Sequence, residues 1–558
     1  MIGVAVRPDR ANAAAEFFEL FKTAWEPYVP GAASTVLVTD GTALAEAAGA
    51  VYILFSADEQ PEDTPSARLP AELNRGRRVR TAAGSELPVY TACRVFKTAE
   101  QPMLSDLSGR VLAYTGTHSG RKVIRVGYDL FDEVAFLLST GQPVDHAGTA
   151  ALDRQIAFLR RCILHAGAPV VEIPPCPPGY PYMVCLTHDV DFVSIRQYGF
   201  DRTFAGFAWR ALAGSLHRVL AGRFTWRQLF RNYAALLSVP LVHLRLVKDF
   251  WTQFDEYCRI EDPDRSTFFL IPFKNRPGEN VPNANPGRRA ARYDVEDIGA
   301  EAAALIEAGW EIGLHGIDAW HDAASGRLEQ NRLHSVLGEK TCGTRTHWLC
   351  RDARTTGVLD QAGFDYDSSC GYNETIGFRE GTSQVFRPLE AGHLLEIPLH
   401  IQDVALFYPV FLDLDEESAW NRCESVMEEC KRYGGVVTVL WHMRSLAPER
   451  QWGGFYERLL ARFRAEGAWI GTAHQTEVWF RKRRAVRIHL SNSSEDEQLI
   501  HLEGNAGVPV TVRVYHPVAH DDAGGPEYED MVREPPAEIP AGRCTRAISR
   551  PFEKAKAE

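Results

Sequence analysis

Asp189 and Asp191 stand two residues apart in Leu-Thr-His-Asp-Val-Asp, where the apolar run Tyr182–Leu186 ends. Side chains alternate along a strand, so the two carboxylates point the same way. One can bind a cation while the other accepts a proton from water, the pairing that metal-assisted hydrolysis requires. An Asp-x-Asp at a strand end is more often a solvated turn or a helix cap, and what lifts this one is its company. Three later apolar runs also end in histidine. Trp310–Leu314 leads to His315, Gly343–Thr346 to His347 and Val436–Trp441 to His442, with His321 six residues beyond His315. A lone histidine after an apolar run is mostly structural, whereas several converging on one mouth with two carboxylates make a candidate site. Carboxylate and neutral imidazole are ligands of zinc and related divalent ions, and a catalytic ion keeps one position open for water.

For these ends to meet, the runs that carry them must be neighbouring parallel strands. Apolar runs at Tyr182–Leu186, Thr267–Ile271, Glu311–Leu314, Gly343–Thr346, Phe364–Tyr366, Leu394–Ile401 and Val436–Trp441 alternate with helical stretches to about residue 480. Seven strands with helical crossovers predict a parallel, barrel-like α/β domain over 180–482, with its chemistry at the C-terminal strand ends. The proline-rich connector Pro174–Pro181 leads into it as extended chain. Before it, residues 1–150 mix a helix at Ala13–Trp25 with strands at Ser34–Val38, Ala50–Phe55, Val111–Tyr114 and Lys122–Val126, and close on an amphipathic helix at Tyr128–Leu138. That pattern predicts an α/β layer; it contains no phosphate loop and no dinucleotide fingerprint, and its role is not legible. After the barrel, residues 485–552 alternate apolar with polar between Ser, Asn and Gly, and predict a small antiparallel β domain.

Bulk composition narrows the classes. A chain of 558 residues suggests roughly three or four domains, and 45% hydrophobic against 24% charged residues is ample for their cores. The net charge of −12 argues against general nucleic-acid binding. Eleven scattered cysteines without a Cys-x-x-Cys read as reduced usage. The start lacks a basic region followed by an apolar one, and no stretch reaches the about 20 apolar residues of a membrane span; a cytoplasmic chain is the expectation. One segment departs from the acidic average. Within a basic helical insertion at 196–262, residues 202–248 hold eight Lys or Arg and no Asp or Glu, interleaved with Trp209, Phe224, Trp226 and Phe230. Such a stretch can lie on the anionic inner face of a membrane, hold an anionic substrate, or pair its basic face with the acidic remainder.

Taken in chain order, these pieces resemble the NodB-type polysaccharide deacetylases, carbohydrate esterase family four. Thr187-His188-Asp189-Val190-Asp191 matches the first motif and Ser266–Leu270 the second strand. Gly313-Leu314-His315-Gly316 opens the metal-histidine motif, and Gly343–Trp348 sits where the arginine motif belongs. Phe364–Ser369 and Leu395–Leu399 follow, and Leu440-Trp441-His442 sits at the last histidine motif. The resemblance implies a distorted (β/α)7 barrel. It implies a metal-dependent hydrolase, with a divalent metal expected to be zinc, that removes an acetyl group from an N-acetylated sugar in glycan or polysaccharide biosynthesis. By the same resemblance Asp189 is the general base, Asp191 and His315 are metal ligands, His442 is the acid that protonates the leaving amine, and Arg345 orients the base.

The sequence departs from that pattern in three places. The family has two histidines four apart, but Ala319 stands four after His315; His321 is the expected further ligand, with Asp318 and water as alternatives. His347 replaces a proline of the arginine motif, as an extra ligand or a substrate contact. The carboxylate that holds His442 stays open between Asp367 and Glu396. Residues 1–150, ending in Tyr128-Asp129-Leu130-Phe131, look like an extension seen before some bacterial deacetylase domains, which implies no activity. A nucleotide-linked or lipid-linked sugar fits a cytoplasmic chain better than finished wall polymer. Two other readings stand beside this one: hydrolysis of a non-sugar C–N bond on the same fold, and a catalytically silent glycan-binding module. The irregular second histidine favours silence; the retained Asp189, Asp191, His315, Arg345 and His442 favour catalysis.

Overall fold

The computed structural model describes residues 2–31, 34–42, 51–60, 72–73, 77–81, 84–97, 101–118, 120–199, 201–279, 289–338, 343–492, 497–504, 507–517, 528–533 and 544–549. At its centre lies a parallel sheet built from β1 (Met183–Val190), β2 (Thr267–Leu270), β3 (Glu311–Gly316), β4 (Gly343–Thr346), β5 (Tyr366–Asp367), β6 (Leu395–Glu396), β7 (Ile401–Gln402) and β8 (Val436–Leu440). Their spatial order is β6-β5-β4-β3-β2-β1-β8-β7, and β9 (Trp469–Gly471) pairs with the first half of β1. Every residue of β1, β2, β4 and β8 is buried, as strands of a parallel sheet covered on both faces must be. Pairings such as Asp189↔Phe269, Leu270↔Leu314 and His315↔Arg345 bring the C-terminal ends of β1 to β4 to one rim. The curled parallel sheet fits the distorted barrel that the resemblance implies.

Two strands differ from the expectation. Leu394–Ile401 is two short strands, β6 and β7, because Pro398 between them has no N–H for the ladder. The first strand runs on from Leu186 to Val190 and so carries Asp189 itself. Gly343 opens β4 because the Tyr366 ring lies across it: a Cβ there would stand 1.9 Å from Tyr366 Cζ. Gly343→Ala is expected to cost about 1–3 kcal/mol through overpacking, read as a lower denaturant midpoint at an unchanged slope.

The amino-terminal block is a nine-stranded mixed sheet. Its parallel half joins Trp25–Pro27, Ile2–Ala5, Val36–Thr39, Val51–Phe55 and Arg121–Val126. Its antiparallel half continues through Val111–His118, Gln101–Asp106, Arg77–Thr81 and Glu86–Val89. The helix expected over Ala13–Trp25 spans Ala11–Phe21, since Lys22 takes a left-handed conformation (φ 51°) and Trp25 starts a strand. The helix that follows the block, Ala151–His165, packs on it and is bonded to the barrel through buried Asp153, whose carboxylate accepts from Thr382 Oγ1 and from Ser383 N and Oγ at 2.6–2.8 Å. Beyond the barrel, Arg487–Asn492, Glu497–Glu503 and Cys544–Ser549 form one antiparallel sheet. Val510–Tyr515 and Tyr528–Arg533 form another with Val170–Glu172, which precedes the barrel.

The basic insertion folds as α1 (Arg202–Trp209), a π-helical turn at Arg210–Gly214, α2 (Ser215–Leu220) and α3 (Trp226–His243). Thr225 and Gln228 close a capping box that starts α3. Phe207, Ala211, Val239 and Val242 bury one side of these helices around Trp251. No described helix is long and apolar enough to cross a membrane.

Candidate active site

Alternation along β1 sorts its polar residues. His188 points away from the mouth, with Nε2 2.6 Å from Glu261 Oε1 and Nδ1 2.7 Å from the Trp441 carbonyl, and is a buried structural residue. Thr187 and Asp189 face the other way and meet Arg345, which is fully buried. Arg345 Nη1 donates to Thr187 Oγ1 (2.7 Å) and Asp189 Oδ1 (3.1 Å), while Nε and Nη2 donate to the carbonyl and hydroxyl of Ser368 (both 2.8 Å). A guanidinium anchored at three other points is a rigid fork, so it fixes the rotamer of the Asp189 carboxylate.

Beside Asp189 lie three groups with nothing but lone pairs between them. His315 Nδ1 sits 2.9 Å from the Arg345 carbonyl, and His347 Nε2 sits 3.0 Å from the Arg289 carbonyl. A carbonyl only accepts, so those nitrogens carry the ring protons. In the neutral rings, His315 Nε2 and His347 Nδ1 are then bare, and they face each other at 2.9 Å. Burial pushes His347 below the ordinary imidazole value, which keeps that ring neutral. Asp191 Oδ1 lies 3.4 Å from His315 Nε2 and 3.3 Å from His347 Nδ1, and it is buried without a hydrogen-bond partner. Three acceptors within 4.8 Å of one another repel unless a cation sits among them. One carboxylate and two imidazoles, each imidazole oriented by a backbone carbonyl, fit a divalent ion with positions left for water.

His321, the expected further ligand, is not in that group. Its loop after β3 cannot bulge back, because Glu329 takes the N–H groups of Ile317 (2.9 Å) and Asp318 (2.8 Å). His321 Nε2 lies 3.4 Å from Asp318 Oδ1 instead, and Asp318 accepts from the Glu279 N–H. Neither Asp318 nor His321 converges on the site; His347, on the next strand end, does. Buried Arg289 joins the two loops by donating to the carbonyls of Ile317 (2.7 Å) and His347 (3.1 Å). Trp348 and Leu349 follow His347 in left-handed conformations (φ 65° and 51°), a local strain of the kind that clusters at functional sites.

His442 is held by neither of the two expected carboxylates. Its Nδ1 lies 2.7 Å from Asp403 Oδ1, and its backbone N–H donates to Asp403 Oδ2, also at 2.7 Å. Burial opposes charge on His442, but Asp403 through charge and hydrogen bond, with Asp191 and Asp189 beyond, raises it to about 9. Nε2 faces the site, 3.8 Å from Asp191 Oδ2. Asp367 and Glu396 instead pair across β5 and β6. Burial raises both, and their proximity to each other raises Glu396 further. They support the loop below Arg345: Ser369 Oγ bonds Asp367 at 2.5 Å and accepts from the Thr346 N–H.

The site opens into a cleft of about 1110 Å³ with Asp189, Asp191, His315, His347 and His442 at its floor. Trp348, Tyr408 and Phe411 give it aromatic walls, and Arg379 and Arg450 give it cations. One wall comes from the amino-terminal block, through Thr140, Gln142, Pro143 and Val144. Gln142 N donates to the Arg379 carbonyl (2.7 Å), and Tyr372 donates to the Gln142 carbonyl (2.8 Å). The block whose role the sequence hid therefore shapes the cleft.

The sequence matches no family model and no curated protein. Among solved structures, the chain is similar to a protein from Mycobacterium smegmatis assigned as a polysaccharide deacetylase, at 18% identity and a TM-score of 0.34, over 57% of this chain and 99% of that one. A protein from Pseudomonas aeruginosa PAO1 with the same assignment is similar at 13% identity and a TM-score of 0.33, over 55% of this chain and 94% of that one. An allantoinase is similar at 12% identity and a TM-score of 0.33, over 55% and 92%.

Proposed function

We propose that this protein is a metal-dependent hydrolase that removes the acetyl group from an N-acetylated sugar. The observation that carries the reading is the convergence of Asp191 Oδ1, His315 Nε2 and His347 Nδ1 within 4.8 Å of one another, set between a carboxylate fixed by Arg345 and an imidazole kept charged by Asp403. Asp191, His315 and His347 would hold a divalent ion, with zinc suggested by the donor set. Such an ion, when bound, polarises the acetyl carbonyl and acidifies water.

The chain's own residues supply the proton transfers. Asp189 accepts the proton of the attacking water, and Arg345 holds its carboxylate at the angle this requires. His442 enters the reaction already protonated and delivers that proton to the amine nitrogen as the C–N bond breaks. Trp348 and Tyr408 offer faces on which a sugar ring can stack. A module that only binds glycans has no use for a fixed base and a charged acid on either side of a cation site. Elemental analysis of the purified protein, then amine release from a panel of N-acetylated sugar nucleotides and lipid-linked sugars, tests the proposal. Metal-loaded protein that releases no amine from any of them would refute it.

The acid's partner gives a prediction with a definite sign. Activity requires His442 charged, so kcat/KM falls as pH rises through its ionisation. A cation on Asp191 would cancel that carboxylate's share of the pull and leave Asp403 as the main one. Asp403→Asn should therefore move the basic limb of the kcat/KM profile about 1–3 pH units lower. A basic limb that stays in place in this variant removes Asp403 from the role.

A further inference from the structure

The insertion buries one side of its helices and exposes a second apolar side. Along α1, the π-helical turn and α2, Trp209 (69% exposed), Leu212, Leu216 and Leu220 (75%) recur every third or fourth residue. On α3 and the turn after it, Trp226, Phe230, Leu237 (78%), Leu241 and Leu244 line one face. A helix apolar on two faces belongs against something on both. The same segment, 202–248, has eight positive side chains and no carboxylate in a chain of net charge −12. Arg202, Arg223, Arg227, Arg231, Arg245 and Lys248 are exposed. Arg223 pairs with Asp413 and Lys248 with Asp255, but Arg227, Arg231 and Arg245 form no ion pair among the described residues. Most of the exposed basic face is therefore not spent in ion pairs with the acidic remainder of the chain.

We propose that α1, α2 and α3 seat the protein on an anionic lipid bilayer, with the apolar stripes at the acyl boundary and the arginines on the headgroups. A second copy of the chain is the poorer occupant. A two-fold interface sets the same patch against itself, and here that puts arginine opposite arginine with no carboxylate in the segment to answer it. An anionic bilayer supplies the apolar layer and the negative charge together. Trp209 and Trp226 suit the boundary, where an indole has its ring in hydrocarbon and its N–H in water. The docked side also borders the cleft. Arg223 pairs with Asp413 at 3.2 Å, just beyond the wall residues Tyr408, Val410 and Phe411, and Gln451 Nε2 bonds the Gln228 carbonyl and Asn232. A bilayer-held sugar would thus meet the cleft mouth, a consequence that rests on the function proposed above; the docking itself does not.

Vesicle flotation of the full chain decides it without any activity readout. With vesicles of phosphatidylglycerol and phosphatidylcholine at low salt, the protein should float; with phosphatidylcholine alone, or at high salt, it should stay at the bottom. Arg227→Glu, Arg231→Glu and Arg245→Glu together should lower partitioning by about a hundredfold or more, at about fivefold for each cation lost. Trp226→Ser, Phe230→Ser and Leu237→Ser together should also abolish flotation, and as exposed positions they should leave the melting temperature unchanged. Failure to float with the anionic vesicles overturns the proposal. So does a dimer in solution that the serine variant splits, which would give the face to a second copy.

Discussion

Asp189→Asn should release amine from an N-acetylated sugar roughly 10²–10⁴-fold more slowly than the wild type while keeping its metal. An amide nitrogen cannot accept the water's proton, and the side chain keeps its size, so the effect isolates the base. Arg345 would still meet the amide oxygen and hold the rotamer, as it does the carboxylate at 3.1 Å. Metal retention matters because Asp189 Oδ2 lies only 3.6 Å from His315 Nε2. If occupancy by elemental analysis falls along with turnover, Asp189 belongs to the ligand set and the base must be sought elsewhere. Turnover at the wild-type rate would exclude it as the base outright. Because the proposed role of Arg345 in turnover runs through Asp189, replacing it in the Asp189→Asn background should cost turnover little more, which double-mutant kinetics can read; its bonds to Thr187 and Ser368 make a measurement of the double mutant's stability part of the test.

The legibility of this site tracks how local each constraint is. Asp189, Asp191, His315 and His442 stand on or just after strands whose apolar runs mark them, and alternation along β1 alone aims both carboxylates at the mouth. The partner of His442 was hidden for the opposite reason. Read as one continuous strand, Leu394–Ile401 stops two residues short of Asp403 and gives no reason to single that residue out; the structure breaks the run around Pro398 and makes Ile401–Gln402 a strand with Asp403 directly after it. The run Ile401-Gln402-Asp403 repeats the strand-then-carboxylate pattern of β1 and could have been seen by breaking the run at its proline. Residues 1–150 offered no motif, because their contribution to the cleft is made through backbone groups and shape at 140–144, which leave no signature in residue type. Those contacts also depend on the docking of one block on another, which hydrophobic periodicity within either block does not record.

His347→Ala should weaken binding of a divalent ion by more than about 100-fold, whereas His321→Ala should bind as the wild type does. The floor for that estimate comes from groups that merely orient a ligand, which are worth about 10–100-fold; a ligand itself must exceed it. The resemblance calls for a second histidine soon after His315, and His321 is the next one although its spacing is six rather than four; nearness along a loop is a weak constraint when the loop is tied down elsewhere. Glu329 binds two successive N–H groups of that loop, and the cost of freeing a buried carboxylate from both is one that a single ligand bond has to overcome. His347 needs no such movement. Its Nε2 is already committed to the Arg289 carbonyl and its Nδ1 already faces His315 Nε2. Titration of metal-free protein with zinc, and visible spectra with cobalt in its place, separate the two variants. Circular dichroism establishes that each remains folded. Loss of the ion in His321→Ala together with full binding in His347→Ala would make His321 the further ligand after all and would require the loop after β3 to unfasten from Glu329.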